Sequence, residues 1–554
     1  MSTTEKVVVG SSKPDLSSND DGDEAVTGLT LGLLIMGLVL CIFLVSLDMT
    51  IIATAIPQIT RDFNSIDAIG WYGAAFMLTL TGFSQLWGKA YGHFSMKWVI
   101  ITAIVLFEVG SLICGIAKNS ITLITGRAIA GAGGAGITNG CYTIIGVVAQ
   151  REKRPAYAGI LACTYGIASV VGPLVGGAFT SLVTWRWCFY INLPIGGFAL
   201  LVLIAFFKVP AGAVTVKTPY ADKLKSMDFG GVLLVMLALI FYILPLQWAG
   251  IAKSWVSGEV LGFLIASVVV VAIFVAYQIW MGERAMMVPR LIKQRRVLSL
   301  ALFNMFMAGS FFIFMYYLPI YFQAIGGSSA TGSAVKNLAL ILSSTVASLV
   351  GGALMMPVGY FHVFLLVGST LCLIGGGLFL TLNTHLVVGN YVGYQLLFGI
   401  GAGLCFQAPV MVGQAFAKPS DMASTTAILL FFQTLGGAIF ISAAQCIFTN
   451  RLAVHLLSHA LEDGTFVPVS LITTLGAADL RGSLTEAQLE VVLPAYLAGL
   501  KSAWSLAAAC AGASFASSLL AKFETMKSTI NKKNDDVDTE AVETLNSPPE
   551  KPSR

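Results

Sequence analysis

The chain contains 554 residues, of which 56% are hydrophobic and only 11% are charged, and its formal net charge is +4. Soluble domains contain roughly 25% charged residues, so this composition excludes a soluble globular protein. It predicts a multi-pass membrane protein whose main surroundings are the lipid bilayer. The net charge is too small to indicate a nucleic-acid-binding surface, and no nucleic-acid partner is expected.

Cysteine and histidine usage gives no sign of a metal site or a disulfide framework. The nine cysteines fall in apolar segments at uneven spacings without any CxxC pair, and the five histidines are scattered. Metal-binding motifs place these residue types at short, fixed spacings. We therefore expect buried cysteines, no metal and no cofactor.

Apolar segments long enough to cross a bilayer recur along the whole chain. The predicted membrane helices are fourteen in number and lie at 29–52, 68–88, 97–117, 121–146, 156–180, 188–207, 228–249, 257–281, 299–322, 334–357, 361–382, 389–412, 422–449 and 501–521. Because the number is even, both termini are expected on the same side of the membrane.

These helices divide the chain into five regions. Two polar tails are expected to be disordered, and two six-helix bundles are expected to flank a linker with two extra membrane helices. In chain order the regions are 1–27, 28–207, 208–282, 283–525 and 526–554. Two six-helix halves around a cavity near the midplane are a common plan of transporters.

A long amphipathic segment, 450–500, precedes the last predicted helix and is predicted to lie outside the membrane. It contains Ser483-Leu-Thr-Glu486, which has the spacing of a helix capping box. We expect a short helix to begin there at the membrane surface.

Lysine and arginine are distributed unequally between the two sides of the predicted bundle. Of the 32 such residues, 23 lie in segments that share a side with the termini, eight lie on the other side, and Arg127 lies within a helix. Cytoplasmic loops carry the excess of positive charge in membrane proteins. Both tails are therefore expected to be cytoplasmic.

Three ionisable residues, Asp48, Glu108 and Arg127, lie deep in predicted helices. A charge in the bilayer is unfavourable by about 2.5–3.5 kcal/mol on insertion scales, so such residues are functional candidates. The helix rise places Asp48 and Arg127 at a similar level and Glu108 near the midplane. Two interpretations remain open, proton coupling by these residues and a fixed ion pair that only holds helices together.

The fifth predicted helix contains an unusual run of glycine with one proline, at Gly166, Gly172, Pro173, Gly176 and Gly177. Membrane helices tolerate both residue types, because small residues allow helices to approach closely. Close packing explains the glycines, whereas proline removes a backbone donor and favours a bend. A bend here is predicted to seal the transport site during proton exchange.

Polar side chains at midmembrane depth, with aromatic side chains beside them, are candidates for a substrate site. Pockets for organic ligands are mostly apolar with a few well-placed polar groups. The alternative for each aromatic residue is packing against lipid or a neighbouring helix. The candidates are Asn139, Asn304, Gln395, Gln407 and Gln433, with Tyr165, Phe311, Phe312, Tyr316, Phe406, Phe431 and Phe432.

Several of these segments resemble signatures of the fourteen-spanner drug:proton antiporters of the major facilitator superfamily. The similarity is closest to fungal pumps that export toxins and other secondary metabolites. The similar segments are Leu47–Pro57, Gly126–Gly134 and Gly166–Gly177 in the first, fourth and fifth helices, and Gly88–Lys97 between the second and third. The resemblance implies an all-α major facilitator fold and a role for Arg127 in proton transfer. The family usually has an acidic residue in the loop where this chain has Gly92, so Lys89 and Lys97 are expected to act only as anchors.

The expected function is proton-coupled efflux of a small amphiphilic organic compound across a fungal plasma membrane, by a monomer that is not an enzyme. No GxxxxGK[ST] phosphate-binding loop occurs in the chain, so the proton gradient is the expected energy source. One alternative is an importer or vacuolar transporter of the same fold, for a siderophore or a basic amino acid. The other is a non-transporting membrane sensor or a membrane enzyme, which would need a large soluble domain or a catalytic cluster.

Overall fold

The computed structural model describes residues 28–63, 69–150, 153–207, 223, 227–250, 252–463, 467 and 480–520. The two predicted tails, most of the predicted linker after residue 207, and part of the 450–500 stretch lie outside these ranges. Within them the chain is almost entirely helical and forms no β-strand.

Fourteen long helical segments follow one another in the described chain. They are α1 Gly28–Phe63, α2 Ile69–His93, α3 Met96–Gly115, α4 Ser120–Val148, α5 Arg154–Leu182, α6 Trp187–Phe206, α7 Phe229–Trp248, α8 Gly258–Met281, α9 Arg295–Ala324, α10 Ala330–Val358, α11 Phe361–Phe379, α12 Val388–Phe416, α13 Met422–Asp463 and α14 Glu486–Leu520. Twelve are long and apolar enough to cross a membrane, while α2 and α4 have the length but are less apolar. The chain is a multi-pass membrane protein, and a crossing by all fourteen helices remains a prediction.

Two of these segments are interrupted by irregular turns. The break in α6 falls at Ile191, and the break in α12 falls at Phe406 and Gln407. Proline follows each break by two or three residues, at Pro194 and Pro409, and its missing N–H group leaves the carbonyl four residues earlier without its helical donor. Each break therefore follows from the local sequence, and each brings a polar amide side chain, Asn192 or Gln407, into the bundle.

The prediction of a short helix beginning at Ser483 is wrong. The capping box is formed two residues later, where the Gln488 N–H donates to Thr485 Oγ1 over 3.4 Å and the Thr485 N–H donates to Gln488 Oε1 over 3.0 Å. The helix that starts there continues for 35 residues to Leu520. Buried side chains such as Val492 continue the apolar face of α14 on the N-terminal side of residue 501, its predicted start. The helix is therefore continuous.

Helices α1–α6 and α9–α14 form two six-helix halves, while α7 packs on the outside against α2 and α13, and α8 packs against α7. The halves meet along two helix pairs, α5 with α10 and α2 with α13. Glycines make both contacts close, because a methyl group at Gly352 would overlap the Pro155 carbonyl and one at Gly88 would overlap the side chain of Ala427.

One face of the bundle, called the basic face below, holds the start of α1 and is the face on which the sequence predicts most lysine and arginine residues; among the described residues it includes Lys89 and Arg290. A network there ties the α8–α9 connection to both halves. Lys89 Nζ donates to the Glu283 carbonyl over 3.0 Å, and Arg290 pairs with both Glu283 and Asp421 at 3.1 Å and 2.9 Å. The hydrogen bonds that Arg290 donates to the carboxylates of Asp421 and Glu283 raise the pKa of its guanidinium above its ordinary value. Lys89 is thus bonded to a specific carbonyl group rather than being a simple surface anchor.

Candidate transport site

Asp48 of α1 and Arg127 of α4 form an ion pair inside the first half. Their side chains are 0% and 1% exposed. Arg127 Nε also donates to the Tyr72 carbonyl over 2.9 Å, and its guanidinium carbon lies 4.4 Å from the centre of the Phe76 ring. Asn192 Nδ2 donates to Asp48 Oδ1 over 3.2 Å. The two charges therefore compensate each other, and four helices supply the surrounding contacts.

Glu108 lies outside this ion pair, at the contact between α3 and α6. Both carboxylate oxygens are buried, and neither has a hydrogen-bond partner among the described residues. The carboxyl group rests on the backbone of α6 at Gly196, where an added methyl group would overlap Glu108 Oε1. Only glycine therefore leaves room for the acid at this position.

The glycine run packs α5 between α1 and α10. A methyl group at Gly172 would overlap Thr50, and one at Gly176 would overlap Thr54, both on α1. Thr50 Oγ1 also donates to the Ala168 carbonyl of α5 over 3.2 Å. Gly166 faces Thr345 of α10 in the other half.

The remaining two members of the run are placed differently. A methyl group at Gly177 would meet open space. Helix α5 passes through Pro173 without a break, from Arg154 to Leu182. The run is thus mainly a packing surface that touches both halves, and the predicted role of Pro173 in sealing the site remains a prediction.

A cavity lies between the two halves, with about 930 Å³ of empty space when its solvent-open part is included. None of its described lining residues carries a charge. Seven predicted residues line it, namely Tyr165, Gly166, Phe311, Phe312, Phe406, Gln407 and Gln433. The other lining residues include Ser46, Met49, Thr138, Tyr142, Ser344, Thr345, Ser348 and Thr434.

Aromatic rings form one wall of this cavity. The ring centres of Phe311 and Phe406 are 5.1 Å apart, those of Phe311 and Phe312 are 5.7 Å apart, and those of Tyr165 and Phe312 are 6.3 Å apart. The rings come from α5, α9 and the break in α12. Edge-to-face and tilted contacts of this kind leave ring faces open to an aromatic or apolar ligand.

Two amides each leave one polar atom without a partner at the cavity. Gln407 Oε1 and Gln433 Nε2 are buried and have no hydrogen-bond partner in the described part of the chain. One is an acceptor and the other a donor. A buried polar group without a partner is unfavourable, so these two atoms call for water or a ligand.

Six predicted substrate residues do not line this cavity. Asn304 Nδ2 donates to the Leu429 carbonyl over 2.9 Å, and Gln395 accepts from the Leu340 N–H over 3.2 Å, so both amides join helices. Asn139 Nδ2 donates to Ser84 Oγ over 2.9 Å in the contact between α4 and α2.

The three aromatic residues of this group, Phe431, Phe432 and Tyr316, are also absent from the lining. Phe431 is 2% exposed and packs in an apolar cluster with Leu78 and Val232, toward α2 and α7. Tyr316 is 43% exposed. Depth along a helix does not reveal which face a residue occupies, so residues at a suitable depth can lie outside the cavity lining.

The sequence reasoning missed the hydroxyl groups of the cavity wall. Ser344 and Ser348 lie one helical turn apart on α10, and Thr138 and Tyr142 lie one turn apart on α4. A four-residue spacing of polar residues inside an apolar helix marks a single polar face. That spacing was the signal available in the sequence.

Fold and site together define a helical membrane protein with an uncharged cavity between two halves and a buried ion pair beside it. A family model described as the Major Facilitator Superfamily matches residues 38–441. The chain belongs to the major facilitator superfamily (MFS).

Fungal relatives are similar over almost the whole chain. It is 42% identical over 521 residues to an MFS-type transporter of Pestalotiopsis microspora, covering 94% of this chain and 95% of the relative. It is 41% identical over 502 residues to an MFS-type efflux pump of Arthroderma benhamiae, covering 91% and 93%.

Solved structures show the same fold at low sequence identity. The human organic anion transporter MFSD10 is 12% identical, with a TM-score of 0.58, over 89% of this chain and all of its own. A bacterial homologue of the human lysosomal transporter Spinster, in an inward-facing occupied conformation, is 15% identical, with a TM-score of 0.54, over 89% of this chain and 98% of its own.

The α1–α5 contact predicts opposite outcomes for two glycines of the same run. Gly172→Ala should destabilise the protein by about 1–3 kcal/mol, because the added methyl group collides with Thr50. Gly177→Ala should change stability by no more than about 0.5 kcal/mol, because its methyl group meets open space. Thermal unfolding of the detergent-solubilised variants compares the two, and proton leak is measured in reconstituted vesicles. Equal stability and equal leak in both variants would contradict this packing role.

Proposed function

We propose that the protein exports a small, uncharged or weakly charged amphiphilic organic compound, such as a fungal toxin or other secondary metabolite, in exchange for protons. The observation that carries this proposal is the position of α1. Met49 lines the uncharged cavity, and the preceding residue, Asp48, pairs with Arg127. A substrate site and a titratable ion pair thus share one helix turn.

The lining of the cavity supports an uncharged aromatic or polycyclic substrate. Phe312 and Tyr165 offer ring faces, while Gln407 Oε1 accepts and Gln433 Nε2 donates a hydrogen bond. A charged substrate would be buried here without a counter-charge in the described lining, which is strongly unfavourable. This argues against the siderophore and basic amino-acid alternatives.

Proton coupling is proposed to involve Asp48, Arg127 and Glu108. Proton exchange among these three groups would change the charge balance around Arg127, so the contact between α1 and α4 would change with it. Protonation would thereby be linked to movement of a helix that lines the cavity. In this scheme the protein works as a monomer, and it moves its substrate without changing it.

The direction of transport follows from the proposed orientation. The basic face carries most of the lysine and arginine residues and is assigned to the cytoplasm by the positive-inside rule. The name of the Arthroderma benhamiae relative, an efflux pump, supports outward movement. We assign the protein to the plasma membrane, with both termini in the cytoplasm.

Deletion of the gene should cause its host to retain organic compounds that the parent strain releases. Untargeted mass spectrometry of cell extracts and medium identifies whichever metabolites are retained. Treating the parent strain with a protonophore should produce the same retention, because the proton gradient supplies the work. Lower intracellular levels after deletion would instead indicate an importer, and unchanged release under the protonophore would exclude proton coupling.

Replacing the ion pair distinguishes coupling from a structural role. Arg127→Ala should abolish export and lower stability by about 3–5 kcal/mol, because it leaves the buried Asp48 charge without a counter-ion. Asp48→Asn should impair export less completely. The double variant Arg127→Ala/Asp48→Asn removes the unpaired charge and should recover stability but not export. Recovery of export together with stability would show that the pair only holds the helices together.

The cavity amides predict a change in recognition with little change in stability. Gln407→Leu should weaken substrate binding by about 1 kcal/mol, or roughly five-fold, through the loss of one hydrogen bond. Its unfolding temperature should fall only slightly, since one contact within the protein, with the Tyr142 side chain, is lost. Gln395→Leu serves as the contrasting control, because it removes two helix-joining hydrogen bonds and should lower the unfolding temperature. The half-saturating concentration of an exported metabolite measures the first effect.

A further inference from the structure

Glu108 is an acid inside the bundle that the ion pair does not account for. It lies on α3, three residues before Ser111, and Ser111 Oγ accepts a hydrogen bond from Asn192 Nδ2 over 3.1 Å. The same Nδ2 atom donates to Asp48 Oδ1 over 3.2 Å. Asn192 and Gly196, which faces Glu108, are one turn apart on α6. Glu108 thus lies one helical turn from the bond network that holds Asp48.

The contact between α3 and α6 contains more buried hydrogen-bond acceptors than donors. Glu108 Oε1, Glu108 Oε2 and Asn192 Oδ1 are all buried acceptors without a donor among the described residues. Three buried acceptors without a donor are strongly unfavourable as a group. A proton on Glu108 converts one of these acceptors into an O–H donor and reduces the deficit.

The charges around Glu108 also favour its protonated form. Within the described membrane-spanning segments, Arg127 is the only basic residue at this level, and Asp48 already neutralises it. The described charged group that acts electrostatically on Glu108 is Asp48, which has the same sign and is already paired with Arg127. An ionised Glu108 would therefore be a buried, unpaired negative charge, which proteins avoid by protonation.

We propose that Glu108 carries the exchanged proton and is neutral in this conformation, while Asp48 serves as the counter-ion of Arg127. This inference rests on the proposed proton-coupled export. Movement of α1 that draws Asp48 away leaves the guanidinium without a partner. Gly126, next to Arg127, already packs on Gly110 and Cys114 of α3, so Glu108 is the remaining carboxyl group on the neighbouring helix.

The proton balance of this step is simple. The Glu108 O–H bond breaks, the proton passes to water, and the carboxylate becomes the counter-ion of Arg127. When Asp48 returns to the guanidinium, Glu108 must take up a proton again. If release and uptake occur from opposite sides of the membrane, one cycle moves one proton across it.

Chemical labelling tests the protonation state without any transport substrate. Dicyclohexylcarbodiimide reacts with protonated carboxyl groups in apolar surroundings, and peptide mass spectrometry locates the adduct. The purified full-length protein should be labelled at Glu108, with less labelling as the pH is raised, and Asp48 should stay unlabelled. Glu108→Gln should lose this adduct, and Asp48→Asn should keep it. Labelling of Asp48 in place of Glu108, or no Glu108 adduct in folded protein at acidic pH, would overturn the proposal.

Variants at the same position separate proton carriage from packing. Glu108→Gln keeps the size of the side chain but cannot release the proton, so cells should retain the exported metabolites to the same extent as the deletion strain. Glu108→Asp keeps a carboxyl group and should restore part of the export at an equal amount of membrane-inserted protein. Equal loss in both variants, or full export by Glu108→Gln, would overturn the assignment. The protonophore experiment on the parent strain is independent of Glu108 and alone decides whether export is proton-driven.

Discussion

The buried ion pair of Asp48 and Arg127 is the constraint on which the first half depends. Neither charge reaches solvent, and each would be strongly unfavourable alone in a bilayer. The ion pair requires α1 and α4 to lie at matching depths in the bundle. The Tyr72 carbonyl of α2 accepts a hydrogen bond from Arg127. The break in α6 allows Asn192 to donate a hydrogen bond to Asp48. Four helices are therefore positioned by one electrostatic requirement.

Small residues make that arrangement possible. Lipid gives helices little hydrophobic reason to associate, so close backbone contact has to supply the attraction. Gly131 faces the Phe76 carbonyl of α2, Gly133 faces the backbone of Phe107 on α3, and Gly172 faces Thr50 on α1. The glycines of α4 and α5 thus allow the close helix packing that brings the two charges together. Gly196 allows the same close packing between α6 and Glu108 of α3.

Hydropathy was enough to predict the helices, because a bilayer-spanning segment needs about 20 apolar residues whatever its neighbours are. The fold class and the two-half plan followed from it. The last helix was placed too late because its first turns carry Glu486 and Glu490 on one face while Val491 and Val492 are buried on another. A window average mixes the two faces and hides such a helix.

The candidate site was only partly predictable for a related reason. Depth can be estimated by counting residues, so the residues selected lay at suitable heights. Which way each side chain points depends on helix rotation, which packing decides. Gln407 faces the cavity because Pro409 breaks α12 just beside it, whereas Gln395, in the regular part of the same helix, bonds to α10. The hydroxyl groups of α10 form a face that only their spacing could have indicated.

The cavity and the buried ion pair lie on different faces of α1, which bears on the proposed coupling. Consecutive residues of a helix point about 100° apart, so Met49 can line the cavity while Asp48 faces the first half. Neither site needs to touch the other. A ligand that shifts or rotates α1 through Met49, Ser46 or Val45 also changes the distance between Asp48 and Arg127. Because this helix also packs on the glycine run of α5, and α5 contacts the other half at Gly166, the same movement reaches the interface between the halves.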